Sequence, residues 1–190
     1  DVVDMDAHLG MLIGRAHEKV SRESAEEEAK KGMCATYSMV AIIGNQAHWA
    51  HVGDSRVYLH RDGMLMRVTD DHTLPGALLS SGVITNDEAR EHHLRNHLLD
   101  CVGCKRCGVE TGGFDVVDED IIMVCSDGLH DYVPEEDIQK ILSGDAEIAG
   151  KADALIDLAL AAGGHDNVSV SLCHAVADPE DSANIIWLPG

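Results

Sequence analysis

Three aspartates stand where this chain turns between regular elements and where a carboxylate could do chemistry. Asp54 lies in His51-Val52-Gly53-Asp54-Ser55-Arg56, Asp127 in Cys125-Ser126-Asp127-Gly128-Leu129, and Asp166 in Gly163-Gly164-His165-Asp166-Asn167-Val168. Each has a glycine within three residues, which lets the backbone turn at that point. Carboxylates converging from rigid elements are what hard cations such as Mg²⁺ and Mn²⁺ require. Two such ions polarise a phosphate and lower the pKa of a bound water. Taken singly, an Asp before Gly or Asn is a turn former whose side chain bonds nearby amides. Spacing alone leaves turn and ligand both open.

The elements that must position these side chains can be read from pattern. Leu9, Leu12, Ile13, Ala16 and Val20 share one helical face, so residues 5–29 form an amphipathic helix that Gly32 ends. Strands are expected at 36–43, 46–52, 57–60 and 64–69, the last entered through an Asp62-Gly63 turn. Four short strands with tight turns imply an antiparallel meander. Thr85-Asn86-Asp87-Glu88 is a capping box opening a short helix that carries Glu91 and His92. Residues 108–117 return to a sheet, and Ile121–Cys125 is a continuous apolar strand, buried on both faces. Pro134 suits the first position of a helix through Leu142. Asp145 can cap a second helix, which Gly163-Gly164 ends. Residues 168–176 alternate as a last strand. Asp54 and Asp127 then fall just past strand ends and Asp166 just before one, so each projects from a sheet rim.

Composition narrows the classes of function. The 190 residues carry 14 basic and 34 acidic side chains, a formal charge of −20, and only 3% aromatic residues. That balance repels nucleic-acid backbones and anionic lipid and leaves few stacking platforms, so neither nucleic acid nor a membrane surface is an expected partner. No apolar run reaches the ~18 residues of a membrane span. The domain is long enough to fold without covalent staples, so its six cysteines are expected as free thiols in a reducing, cytoplasmic setting. One α+β domain over 1–177, with a 178–190 tail, is the economical reading.

The exact wording goes further. His51-Val52-Gly53-Asp54-Ser55-Arg56-Val57-Tyr58-Leu59, Thr69-Asp70-Asp71-His72-Thr73-Leu74, Cys125-Ser126-Asp127-Gly128-Leu129 and Gly163-Gly164-His165-Asp166-Asn167-Val168-Ser169-Val170 closely resemble, in order, the motifs of the metal-dependent protein phosphatases of type 2C. Gly32-Met33-Cys34-Ala35-Thr36, Gly82-Val83-Ile84-Thr85 and Arg95-Asn96-His97-Leu98-Leu99 look like further segments of bacterial members. The resemblance spans residues 5–176. It implies an antiparallel β-sandwich flanked by helices and a centre of two, or with a looser site three, Mg²⁺ or Mn²⁺ ions. It also implies hydrolysis of phosphoserine and phosphothreonine in proteins, with a Ser/Thr kinase pathway as counterpart. Asp127 and Asp166 match the family's metal aspartates, catalytic through ligation. Asp54 matches the aspartate of a third metal, and Asp71 and His72 match a structural pair. The family's earlier motifs, an Arg-bearing segment with an acidic pair and an Asp-Gly-x-Gly-Gly run, have no counterpart here. Residues 1–31 correspond only to the helix that follows them. A start at Asp1 is read as truncation, the alternative being an inactive relative that keeps the fold as a binding or regulatory module.

Other clusters compete less well. Cys101, Cys104 and Cys107 form C-x₂-C-x₂-C, part of a zinc or iron–sulfur ligand set that would need His97 or a distant Cys to complete it. An accidental thiol cluster or a redox-sensitive loop is the preferred reading. His93 and His97 read as solvated, no Gly-x-Ser-x-Gly elbow occurs, and Arg56 is expected to pair internally with a carboxylate.

Overall fold

A computed structural model of the chain describes residues 4–176 and 186–187. In chain order the elements are α1 (Met5–Glu26), β1 (Tyr37–Ile43), β2 (Gln46–Val52), β3 (Arg56–Arg61), β4 (Met64–Arg67), α2 (Leu74–Ser80) and α3 (Asn86–Arg90). There follow β5 (Glu110–Asp115), β6 (Ile121–Cys125), α4 (Asp127–His130), α5 (Glu135–Leu142), α6 (Ile148–Ala161), β7 (Val170–His174) and β8 (Ile186–Trp187). A 3₁₀ turn, Glu28–Lys30, replaces the end of the expected first helix. The strands form two four-stranded sheets, ordered β5-β2-β1-β8 and β4-β3-β6-β7.

The expected meander is corrected at one place. β1–β2 and β3–β4 are antiparallel hairpins, but they belong to different sheets, so the chain crosses from one sheet to the other between Val52 and Arg56. Gly53, at φ +116°, makes the crossover, and a Cβ there would run into the side chain of Thr36. A meander would need a tight turn here, and the backbone instead swings away.

Side-chain alternation builds the layers. Val57 and Leu59 point between the sheets with Val40, Ile42, Ala47, Ile122 and Cys173. Tyr58, between them in sequence, points the other way, toward Leu129, Ile138, Leu142 and Leu155 of the helices outside. β3 and β6 are therefore buried on both faces, as the unbroken apolar run of Ile121–Cys125 anticipates. Leu9 and Ile13 of α1 cover the outer face of the other sheet at Ala41, Ala50 and Val52. The result is a helix–sheet–sheet–helix sandwich, the α+β architecture expected.

Element ends shift for local reasons. Pro134 and Glu147 are the N-caps of α5 and α6, so the expected first-turn proline lies one residue outside and Asp145 does not cap. The Thr85 capping box forms as read, although its helix stops at Arg90. Residues 186–187 of the tail pair antiparallel with β1 as an edge strand, through Ala41↔Trp187 and Ile42↔Ile186. Cys101 and Cys104 are joined as a disulfide, which corrects the expectation of free thiols for that pair. The cause is local: the Cys104 N–H donates to the Cys101 carbonyl at 3.3 Å in a tight turn, and Gly103 supplies φ +82°. Cys34, Cys107, Cys125 and Cys173 are free. No helix among the described residues is long and apolar enough to cross a membrane.

Candidate active site

Sheet register places the three aspartates. Arg56 pairs with Cys125, and Cys125 pairs with Val170, so the start of β3, the end of β6 and the start of β7 lie side by side. Asp54, Asp127 and Asp166 are the residues just beyond those three ends. Antiparallel neighbours must turn at a common edge, and this edge is where the ladder stops and side chains are free to converge.

The Asp127 and Asp166 turns are stitched together. The Ser126 N–H donates to the Ser169 carbonyl at 3.0 Å, the Ser126 hydroxyl donates to the Asn167 carbonyl at 3.2 Å, and the Ser169 N–H donates back to Ser126 Oγ at 3.0 Å. Gly128 packs against the Asn167 carbonyl so closely that a Cβ could not fit. Each carboxylate also accepts from the following amide: Asp127 Oδ1 from Gly128 at 2.9 Å, and Asp166 Oδ1 from Asn167 at 2.7 Å. Both are thus turn residues and neighbours at once, and the two readings of the sequence are compatible.

The carboxylates feel one another. Burial, followed by the charge of Asp127, pushes the Asp54 carboxyl up to about 6. Burial, followed by the charge of Asp166, raises Asp127. The three form a row with Asp127 in the middle. They are not a closed cage: among the described residues, no three acidic or histidine side chains have ligand atoms within 4.8 Å of one another. An open row still fits a hard cation, because Mg²⁺ is usually held by one or two carboxylates with waters completing its shell.

Supporting groups rigidify the edge. Arg56 grips Asp71 with a fork, Nε to Oδ1 at 2.8 Å and Nη2 to Oδ2 at 2.7 Å, while Nη1 donates to Tyr58 Oη at 2.9 Å. Tyr58 in turn donates to Glu135 at 2.8 Å. Burial works to raise Asp71, but the Arg56 fork and charge outweigh it and hold the carboxyl below its usual range. Arg56 therefore pairs internally, as the sequence suggests. His72 Nδ1 accepts from the Gly53 N–H at 3.3 Å, and the His72 backbone N–H donates to the Gly53 carbonyl at 2.7 Å, clamping the crossover.

Two site residues escaped sequence reading. His130, buried at the end of α4, has Nε2 at 2.9 Å from the Asp54 carbonyl and Nδ1 at 3.3 Å from Asp131. Asp131 also lies 3.5 Å from Arg95. Their signal was His130 falling three residues after Asp127, one helical turn along the same face. Beside them opens a cavity of about 330 Å³, walled by Asp54, Arg56, Asp71, Arg90, Arg95 and His130 among others, with α2 and α3 on its far side. Asp127 and Asp166 are not part of its wall.

With this geometry established, likeness to known proteins is decisive. Residues 7–75 match the family described as Protein phosphatase 2C. The serine/threonine phosphatase stp of Listeria monocytogenes is 32% identical over 170 residues, covering 89% of this chain and 68% of that protein. The chain belongs to the protein phosphatase 2C family. Protein phosphatase PhpP of Streptococcus pneumoniae is 36% identical over 148 residues, 77% of this chain, and the chain spans only 60% of that relative's length. Among solved structures, the Mycobacterium tuberculosis serine/threonine phosphatase PstP/Ppp superposes with a TM-score of 0.85 at 32% identity, over 93% of this chain and 74% of that one. A structure of the PstP catalytic domain in complex with two manganese ions gives 0.83 at 31% identity, over 93% and 74%. Mixed helix and antiparallel sheet is thus the type 2C architecture, and the phosphatase resemblance in the motifs holds across nearly all of the chain.

Proposed function

We propose that this chain provides most of the catalytic domain of a metal-dependent protein serine/threonine phosphatase, with phosphoproteins as substrates. The observation that carries the reading is the side-by-side placement of Asp54, Asp127 and Asp166 at one sheet edge, with raised carboxyl pKa values at Asp54 and Asp127. Like charges crowded in a half-buried place signal a missing positive partner. Bound there, Mg²⁺ or Mn²⁺ would polarise a phosphoryl oxygen and supply a water of lowered pKa for in-line attack.

The chain's own groups have defined tasks in this reading. Asp127 and Asp166 would hold the cations from adjoining turns, and Asp54 would hold a further one from the crossover. His130 anchors the Asp54 backbone through its carbonyl, so the carboxylate is presented from a fixed turn. The cavity carries acidic groups in Asp131, Glu135 and Glu136, and Arg90 and Arg95 line it beside Asp131, Arg95 at 3.5 Å from the carboxylate and Arg90 at 3.5 Å from the backbone carbonyl. A phosphoryl dianion entering it needs positive charge close to the aspartates, and the arginines alone are occupied in part by Asp131. Substrate binding and cation binding are therefore coupled.

The test is Mn²⁺-dependent phosphate release from a phosphothreonine peptide, run on the full-length protein. Turnover that EDTA abolishes, and that Asp127→Asn and Asp166→Asn each lower at least about a hundredfold, is the expected result. Full turnover by either variant would refute the ligand assignment. No turnover, with Mn²⁺ binding intact, would favour a non-catalytic module instead.

A further inference from the structure

Outside the phosphatase site, a second cluster of ligand-type side chains has formed from segments distant in sequence. The Sγ atoms of Cys34, Cys101 and Cys104 all lie within 4.8 Å of one another. Cys34 is exposed, Cys101 buried and Cys104 half-buried, so the cluster opens to solvent on one side. We propose that the reduced chain binds one thiophilic divalent cation of the zinc class through Cys34, Cys101 and Cys104, with the fourth position left to water.

The same geometry can serve a metal once the disulfide is reduced. Zn–S bonds of about 2.3 Å set tetrahedral sulfurs roughly 3.8 Å apart, so on reduction the Cys101 and Cys104 sulfurs part to that spacing, with Cys34 already within 4.8 Å of both. The backbones that carry them are fixed independently. Ala35 and Val102 form an isolated antiparallel bridge, the Ala35 N–H donating to Val102 O at 3.0 Å and the Val102 N–H to Ala35 O at 2.9 Å. That bridge sets Cys34 diagonally across from Cys101. The Cys101–Cys104 turn is pinned by the Gly103 N–H, which donates to His17 Nδ1 of α1 at 3.1 Å. Three sulfurs held from three directions make a preorganised ligand set. Cys107 is the weaker fourth choice, because burial and the neighbouring Asp100 raise its thiol.

The disulfide is the oxidised form of the same site. Two equivalents of a small thiol reduce it, each giving up one hydrogen, to yield the Cys101 and Cys104 thiols and one small-molecule disulfide. Binding then displaces the thiol protons to solvent. The site ties the loop after α3 to the entry of β1, two residues from the Thr36 that packs on the Gly53 crossover. Its ligands are sulfur where the aspartate row offers oxygen.

The chain, reduced with a phosphine and desalted without oxygen, is titrated with Co²⁺ and then Zn²⁺. One equivalent of Co²⁺ giving an intense sulfur-to-cobalt charge-transfer band, bleached by one equivalent of Zn²⁺, is expected. Cys34→Ser and Cys104→Ser each weaken binding at least tenfold, with far-ultraviolet circular dichroism unchanged, whereas Cys107→Ser does not. Absence of the band in the reduced protein, or its survival in Cys34→Ser, overturns the proposal and leaves a disulfide beside a free thiol. Loss of the band in Cys107→Ser overturns the three-sulfur assignment. The band arises only from thiolate ligands, so the outcome does not depend on whether the aspartates bind Mn²⁺.

Discussion

Replacing Asp54 by Asn should stabilise the metal-free protein. The carboxyl is raised from 3.8 to about 6, chiefly by burial and then by Asp127. Its ionised form is therefore disfavoured in the folded chain, by about 3 kcal/mol before screening and about 1–2 kcal/mol once its partial exposure is allowed for. The folded state holds the extra proton between pH 3.8 and about 6, so the penalty is full above about 6 and disappears as the pH falls toward 3.8. In urea unfolding with EDTA at pH 7.5, Asp54→Asn should exceed the parent chain by about 1–2 kcal/mol, and at pH 5 by about half that. Saturating Mn²⁺ should reverse the order, because ligand binding stabilises only the chain that binds. A variant less stable than the parent at pH 7.5 in EDTA, or a gap independent of pH, would refute the picture of uncompensated carboxylates.

Two further outcomes test the support around the row. Arg56→Met should cost about 2–3 kcal/mol in urea unfolding by stranding half-buried Asp71, and adding Asp71→Asn should recover part of the loss; additive effects would show that the fork carries no coupling. His51 is fully buried and held down to about 4, first by burial and then by the charge of His72. The unfolded chain takes up a proton near 6.5 that the folded chain refuses until about 4, so stability present at neutral pH is lost as the pH falls through that window. About 2 kcal/mol should be gone by pH 5, and His51→Gln should show a correspondingly shallower acid slope; equal slopes would dismiss the assignment.

Local chemistry was legible in the sequence and long-range apposition was not. The Thr85 box, the α1 face and the doubly buried β6 follow from period and capping, which act within a few residues. The three aspartates could be placed at strand ends by the same means. What pattern alone could not say is that those ends share one edge, because register between β3, β6 and β7 is set by burial on both faces and has no local code. The crossover at Gly53 shows the limit. Alternating strands with short connections read as a meander, whereas the chain turns at Gly53, packed on Thr36, and β3 enters the other sheet. Cys34 was invisible for a related reason. Its partners lie more than sixty residues away, across an isolated bridge, so the C-x₂-C-x₂-C spacing suggested Cys107 as third ligand where the fold brings Cys34.

The same crossover explains why this edge can hold charge at all. Inside a ladder, a carboxylate between β3 and β6 would be sealed among Tyr58, Met123 and Val57, where an unpaired ion is prohibitively costly. By breaking the hairpin sequence at Gly53, the fold leaves Asp54 on a turn that solvent and cations still reach. The backbone polar groups freed by the break are recovered by His72, which pairs with both Gly53 N–H and carbonyl, and by His130 at the Asp54 carbonyl. Arg56 and Asp71 lock the next residues on either side with a fork that is itself neutral as a pair. The acidic row is thus mounted on a frame in which Arg56 and Asp71 satisfy each other, while Asp54 and Asp127 are crowded by like charge. A frame that met its needs with the row's carboxylates would leave nothing for a cation to bind.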